Sequence, residues 1–455
     1  MPATGRNRRG PDRVAIIGAG PCCLGCAREL DSIGFREWAV YEREEHAGGL
    51  ASSVLDPAGF TWDLGGHVVF SHFGEFDLLL SEAMGDEVCE HERASYIRFG
   101  DRWVPYPFQN NLRHLEPDLV VECLLGLIEA RGGNLDMDFA FWMEATFGPA
   151  ITRVFMRPYN EKVWATPPAE MASAWIGERV SVVDYRRALE NVVLGRDDVG
   201  WGPNNTFRFP STGGTGEIYR RVASALGPRV QLGREVTRIE PDRRTLEFAD
   251  GGSDEYDALV TTMPLDRLVD TVAGAPSELA EAAQALRHTS VSVVGVGYER
   301  PLADEKCWMY FPDPAVPFYR ATNFAKYAAA NVPSGDTNRF SSYLTETAFA
   351  PGAGRPAEFE ERVRAGLVTG GVVEDDLPIA SLHTIDVEYA YPVPTLGRDR
   401  ALATIQPWLM ERDIYARGRF GAWRYELGNM DHAVKMGVDI AHRLVEGRAE
   451  ELWAP

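Results

Sequence analysis

The chain has 455 residues, 45% of them hydrophobic and 25% charged, which is the composition of a globular protein too long for one simple core and expected to form two or three domains. Asp and Glu number 67 against 46 Lys and Arg, a net charge of −21, which argues against nucleic acid or an anionic membrane as the main partner. No apolar run approaches the roughly 18 residues that cross a bilayer, and the nearest, Leu119 to Ile128, is broken by Glu122.

The basic start MPATGRNRRG with the apolar stretch behind it imitates a secretion signal, but a glycine turn interrupts that stretch. A Rossmann-type opening is expected instead, behind a short tail in a cytoplasmic protein. Val14 to Ile17 run apolar without alternation, as a strand buried on both faces does, and stop at Gly18. Gly18 and Gly20 let the backbone approach a pyrophosphate at the start of the next helix, and Glu42, closing WAVYE, stands where a ribose-binding carboxylate belongs. The third glycine position of G-x-G-x-x-G is Cys23, with Gly25 two residues later, and the motif does not distinguish NAD from FAD.

Six cysteines (Cys22, Cys23, Cys26, Cys89, Cys123, Cys307) are too few and scattered for a disulfide framework. Cys23 and Cys26 form a C-x-x-C that is either a redox pair or a set of small residues packed on a sheet, the second being favoured. No second pair completes a zinc set, so no metal is expected. EHAGGLASS brings Gly48 and Gly49, and FTWDLGGHVVFSH brings Gly65, Gly66 and His67. Their recurrence suggests backbone pressed against a long ligand such as FAD, although turns alone also use glycine.

RFGDRWVPYPFQNNL places Tyr106 and Phe108 beside Gln109 and Asn110, a combination able to hold a flat base between a ring and amide hydrogen bonds. Core packing explains the rings but not the amides. From Glu116 to about Gly195 the pattern turns helical (Leu119, Leu124, Leu127, Ile128) and predicts an inserted domain, with Asn160, Trp164 and Arg179 near its segment ends. The Rossmann part is expected to resume at FRFPSTGGTGEIYRRVASAL, followed by the hairpin strands REVTRIE and TLEFA and the apolar strand YDALVTTMP. Alternation from about Val291 to Ala416 predicts an antiparallel sheet, and an arginine-rich turn leads into a final helix with Gly428 near its start. The expected class is α/β: a discontinuous FAD-binding Rossmann-like domain (1–90, 206–290, 418–455), an inserted helical domain (112–205) and an antiparallel β-sheet domain (91–111, 291–417).

Three segments set arginines among aromatics and glycines: IGERV (Arg179), PFYRATNFAKY (Arg320, Tyr327) and RGRFGAWRYELGN (Arg419, Arg424, Tyr425). In so acidic a chain they suit a diphosphate, because guanidinium forks bind phosphate oxygens in pairs; structural salt bridges are the alternative.

VPYPFQNN, FMRPYNEKVWA, WIGERV, WGPNNTFRFP, GGTG, KCWMYFP, FYRAT, YPVPTL and GRFGAWRYELGNMDH, in this order along nearly the whole chain, resemble the eukaryotic type of UDP-galactopyranose mutase. The resemblance implies a three-domain flavoenzyme interconverting UDP-galactopyranose and UDP-galactofuranose. In that family, N5 of reduced flavin attacks the anomeric carbon, UDP leaves, a flavin–sugar iminium forms, and the sugar opens and recloses before UDP returns. FAD must first be reduced by NADPH or NADH. Carried over position by position, Arg179 and Arg320 match the diphosphate arginines, and Tyr310, Tyr327, Tyr391 and Tyr425 match diphosphate-contacting tyrosines. Tyr106, Phe108, Gln109, Asn160 and Trp164 match the uridine pocket, His67 matches the residue whose backbone faces flavin N5, and Arg419 and Asn429 match residues near sugar and flavin. The cofactor set is then Gly18, Gly20, Glu42, Gly48, Gly49, Leu50, Gly65, Gly66, Gly428 and Met430. Cys23 and a stretch from Ala328 to Ser341 shorter than in fungal members depart from the pattern, so the assembly state, homo-oligomer included, stays open. A mutase for another nucleotide sugar, such as arabinopyranose or fucose, is a near alternative; a flavin amine oxidase or desaturase, and a non-catalytic nucleotide-sugar binder, are more distant ones.

Overall fold

A computed structural model describes residues 10–199, 205–301 and 304–453. Its first layer is a five-stranded sheet in the order Ile414–Ala416, Ala258–Thr261, β1 (Val14–Ile17), β2 (Trp38–Tyr41), Val230–Gln231, parallel throughout. Both faces of β1 are buried, which is why its residues show no alternation. Val14 and Ile16 join one core with α1 (Pro21–Ser32) and the closing helix, Met430–Glu446; Ala15 and Ile17 join another with the helices Leu265–Thr271 and Arg398–Met410.

The second layer is a seven-stranded sheet in the order Ile379–Val393, Arg287–Tyr298, Ser341–Phe349, Arg320–Asn323, Trp308–Tyr310, Ser95–Phe99, Arg102–Pro105. It is antiparallel at every junction but one, where Trp308–Tyr310 runs parallel to Ser95–Phe99. The helical insert, chiefly Pro117–Glu129, Phe139–Ile151, Arg157–Trp164 and Tyr185–Leu194, shares a continuous core with this sheet through rings such as Phe108, Phe155 and Trp164.

Two sequence expectations shift. Ile414–Ala416, expected inside the antiparallel sheet, is an edge strand of the parallel one; three residues are too short to display a period of their own. Thr206–Pro210, expected to resume the Rossmann part, pairs with Val88–Glu92 in a separate ribbon. The GGTG loop after it packs on the hairpin Ser53–Leu55/Thr61–Asp63, where Asp63 accepts from the hydroxyls of Ser53 and Thr215. Trp201 to Asn204, part of the WGPNNTFRFP match, lie outside the described residues.

Candidate active site

The turns after the parallel strands form a backbone cradle. Gly18 has φ +107° and no space for a side chain beside Thr262. Gly20 caps α1, with Pro21 as the first helical residue. Gly48 and Gly49, both at positive φ, lie on this turn: Gly48 N donates to Ala19 O at 2.8 Å, and a Cβ on Gly49 would stand 3.3 Å from the Gly20 Cα. Glu42 Oε2 accepts from Ala19 N at 2.7 Å, so its carboxylate lies beside the cradle. Asn429 and Met430 start the closing helix, and the Gly428 carbonyl just before them is held by Arg419.

Cys23 is wholly buried and donates its thiol to Ile17 O at 3.3 Å. Close helix packing, the role of the missing third glycine, falls to Gly25 and Gly437. A Cβ on Gly25 would meet Val434 O at 3.0 Å, and one on Gly437 would collide with the backbone of Cys22 and Cys26. Burial pushes the Cys23 thiol up to about 12 and raises Cys22 and Cys26 well above their ordinary range. Inert packing cysteines, not a redox pair, occupy the C-x-x-C.

Past the cradle, the loop Gly65–His67 meets the central strands of the large sheet. Gly66 has no space for a side chain beside Thr322, and Gly65 faces the Glu346 carboxylate. His67 is half-buried at a small cavity lined also by Leu50, Gly65, Glu346, Tyr391 and Arg419. Desolvation, with Arg419 and Arg320 nearby, lowers the His67 imidazole to about 3, so it is neutral at ordinary pH; its Nδ1 is buried without a partner.

The arginines converge here from three parts of the chain. Arg320 is held bidentately by Glu346 through Nε and Nη2, the latter at 2.8 Å. Arg179 donates to Asn429 Oδ1 at 2.8 Å and Glu426 O at 2.7 Å and lies 5.1 Å over the Tyr425 ring. Arg419 donates to Gly428 O and Ala390 O, 5.6 Å from the Tyr391 ring. Rings link them: Trp164 to Tyr425 at 4.8 Å, Tyr425 to Tyr391 at 5.6 Å and Tyr106 to Tyr310 at 5.3 Å. Burial raises the Tyr391 and Tyr106 phenols, keeping them neutral O–H donors.

The model for the flavin containing amine oxidoreductases matches residues 24–365. A solved structure of reduced UDP-galactopyranose mutase is 37% identical, with a TM-score of 0.92, over 97% of this chain and 95% of that one. The chain belongs to the UDP-galactopyranose mutase family. With a putative protoporphyrinogen oxidase from Exiguobacterium sp. 255-15 (16% identity, TM-score 0.72, covering 98% of this chain and 100% of that one) it shares the fold alone. The same holds for cyclohexylamine oxidase from Brevibacterium oxydans IH-35A (17%, 0.66, 96% and 99%).

As a member of the mutase family the chain is an FAD-dependent isomerase, and the cradle fits that cofactor: the glycines at 18, 48 and 49 leave no room on this turn for side chains, and the Nδ1 of His67 is buried without a hydrogen-bond partner. Not every expected contact is open. Phe108 is fully buried, stacked at 4.6 Å on Phe155, so its ring serves the core. Gln109 donates to Ser181 O, and Asn160 to Met156 O at 2.7 Å. Tyr327 is enclosed by Phe207, Phe209 and Trp308, with its hydroxyl buried and unpartnered. Glu346, Tyr319, whose hydroxyl lies 3.3 Å from that of Tyr391, and Arg93, 4.5 Å over the Trp308 ring, were not singled out from sequence. For Glu346 the signal is sheet register, which a single strand does not display, and Tyr319 and Arg93 lie just outside strands, where only tertiary packing places them.

Among the described residues, His72, Asp431 and His432 bring three potential metal ligands within 4.8 Å. Asp431 already accepts four N–H groups, the backbone N and Nδ1 of both histidines, at 2.8–3.1 Å, which fills its acceptor sites without an ion. No helix among the described residues is long and apolar enough to cross a membrane.

Proposed function

We propose that this enzyme interconverts UDP-galactopyranose and UDP-galactofuranose at the cavity between the Gly65–His67 loop and the arginine cluster. The observation that carries the reading is the convergence of Arg179, Arg320 and Arg419 beside that loop in a chain of net charge −21, three guanidiniums against the single Glu346 carboxylate that pairs with Arg320, an excess of positive charge that suits an anionic ligand. The 37% identity to a UDP-galactopyranose mutase supports it.

Flavin, when bound and reduced by NADPH or NADH, supplies through N5 the nucleophile for the anomeric carbon. The chain's own work is electrostatic and positional. Arg179 and Arg320 hold the diphosphate as it separates from the sugar, and the O–H groups of Tyr310, Tyr391 and Tyr425 add donors whose strength rises with water excluded, with the enclosed Tyr327 joining them on local repacking. Arg419 and Asn429 face sugar and flavin; the neutral His67 and its loop backbone support the flavin's reactive edge. Tyr106, Phe108, Gln109, Asn160 and Trp164 belong to the uridine end, where the enclosed Phe108, Gln109 and Asn160 require local repacking or serve as second-row support. The division into cofactor, helical and sheet domains belongs to the same reading.

The test is incubation of dithionite-reduced enzyme with a panel of UDP-pyranoses and UDP-furanoses, followed by chromatography. Galactose interconversion that requires reduction is expected. Faster turnover of another sugar pair would reassign the substrate. Absence of any furanose, with aerobic oxidation of an amine or alcohol, would sink the mutase reading.

A further inference from the structure

Among the described residues, Glu346 is the sole acid lining the cavity, and the mechanism above leaves it without a role. It sits on Ser341–Phe349, in register with Arg320 on the neighbouring strand, and is 2% exposed. Residues directly opposite on paired strands project from the same face, so the strand pairing itself brings carboxylate to guanidinium. Its two oxygens take the Nε and Nη2 donors of Arg320. The oxygen that takes Nη2, Oε1, also accepts from Gly66 N at 3.3 Å and is the atom a Cβ on Gly65 would meet at 3.0 Å. One buried oxygen therefore serves both the arginine and the loop that carries His67.

A buried carboxylate needs its charge matched. A diphosphate drawn to Arg320 competes for the same guanidinium, and as the arginine divides between two anions, Glu346 Oε1 turns more of its acceptor strength to the Gly66 N–H. Conversely, a loop that withdraws Gly66 N leaves the carboxylate to bind Arg320 more tightly and opposes release of the guanidinium to phosphate. We propose that Glu346 is a positioning residue that couples diphosphate binding at Arg320 to the placement of the Gly65–His67 loop, and thereby to the redox state of the flavin that the loop faces. The proposal rests on the assignment of Arg320 to the diphosphate and of the loop to the flavin.

Coupling between two sites is reciprocal and is read as a ratio of affinities. UDP is titrated into FAD-loaded full-length enzyme, oxidised and dithionite-reduced, and the two dissociation constants are compared. In the wild type a ratio of about 5 or more is expected. In Glu346→Gln, which keeps the side-chain length but loses the charge, and in Glu346→Asp, which keeps the charge but cannot span both partners, the ratio should fall toward one. Flavin content, measured by absorbance, reports whether each variant has folded and loaded. A wild-type ratio of one, or an undiminished ratio in loaded Glu346→Asp, would overturn the coupling while leaving the diphosphate assignment standing. A wild type that binds no UDP in either state would overturn both.

Discussion

Arg179 and Arg320 are both arginines of one cluster, yet their surroundings make them respond differently to truncation. Arg179 gives its donors to a side-chain amide and a backbone carbonyl. Arg179→Ala should weaken UDP binding by about 2 kcal/mol, the scale of hydrogen bonds to a charged group, with flavin retained; a fluorescence titration reads the first and absorbance the second. Arg320→Ala strands the buried Glu346 carboxylate and should in addition cost about 3 kcal/mol or more of stability, visible in a denaturant melt; an equal melt for both variants would count against the ion pair's role. His67 carries a pH signature. Its folded value, lowered to about 3, lies below the ordinary 6.5. Protonation therefore favours the unfolded chain, and stability contributed by the neutral ring is lost as pH falls below about 6.5. His67→Gln should show a smaller drop in Tm between pH 7 and pH 5 than the wild type. At this scale sequence reading pointed to Glu42 by its place at the end of β2, to the arginines by their aromatic and glycine surroundings, and to His67 through the resemblance. It missed Glu346, which in TETAF is an unremarkable strand residue until register sets it across from Arg320.

Between elements, the crossing of α1 and the closing helix shows how a broken motif is compensated. The third glycine lets a helix approach closely, and here Gly25 and Gly437, 412 positions apart in the chain, do so together. Gly437→Ala should cost about 3 kcal/mol by overpacking and loosen flavin binding, whereas Gly74→Ala, whose added methyl meets nothing within 4 Å, is the neutral control. Denaturant midpoints and flavin release compare them. The GGTG loop illustrates the opposite lesson, since a glycine-rich turn before a helix resembles a phosphate site in sequence but encloses a carboxylate. Burial pushes Asp63 up to about 7 despite the Ser53 and Thr215 donors. An acid whose folded value is raised loses stability as pH climbs from about 4 to about 7, the reverse of the His67 trend. Asp63→Asn should therefore gain Tm over the wild type at pH 8 relative to pH 5, and a constant difference across that range would contradict a buried, late-titrating carboxyl.

The whole molecule depends on a chain that leaves the parallel sheet and returns to it. Strands starting at residues 14, 38, 230, 258 and 414 build one sheet, and the intervals between them hold the helical insert and the large sheet. The insert is tied to the large sheet at Lys162, whose Nζ donates to the carbonyls of Phe311, Asp313 and Val316 at 2.7–2.9 Å and is lowered to about 7 by desolvation. That contact fixes the helix Arg157–Trp164, carrying Asn160 and Trp164, against the turn between Tyr310 and Arg320. Lys162→Met should raise KM for the UDP-sugar by about fivefold or more with a smaller change in kcat, as loss of alignment between two halves of a binding site does; steady-state kinetics decides.

The amino-acid sequence by itself determined the cofactor fold and the family, because β1, its glycine turn and Glu42 obey rules of short range, and long ordered strings carry the resemblance. It also determined that an acidic chain concentrates arginine in three places. Only the tertiary structure decided that those places meet, that Phe108 stacks on Phe155 out of solvent, that Ile414–Ala416 belongs to the parallel sheet, and that Glu346 joins Arg320 to the Gly65–His67 loop. The reason is physical: periodicity and turn chemistry act over a few residues, whereas strand order, register and the pairing of buried charges are settled by packing between segments hundreds of residues apart.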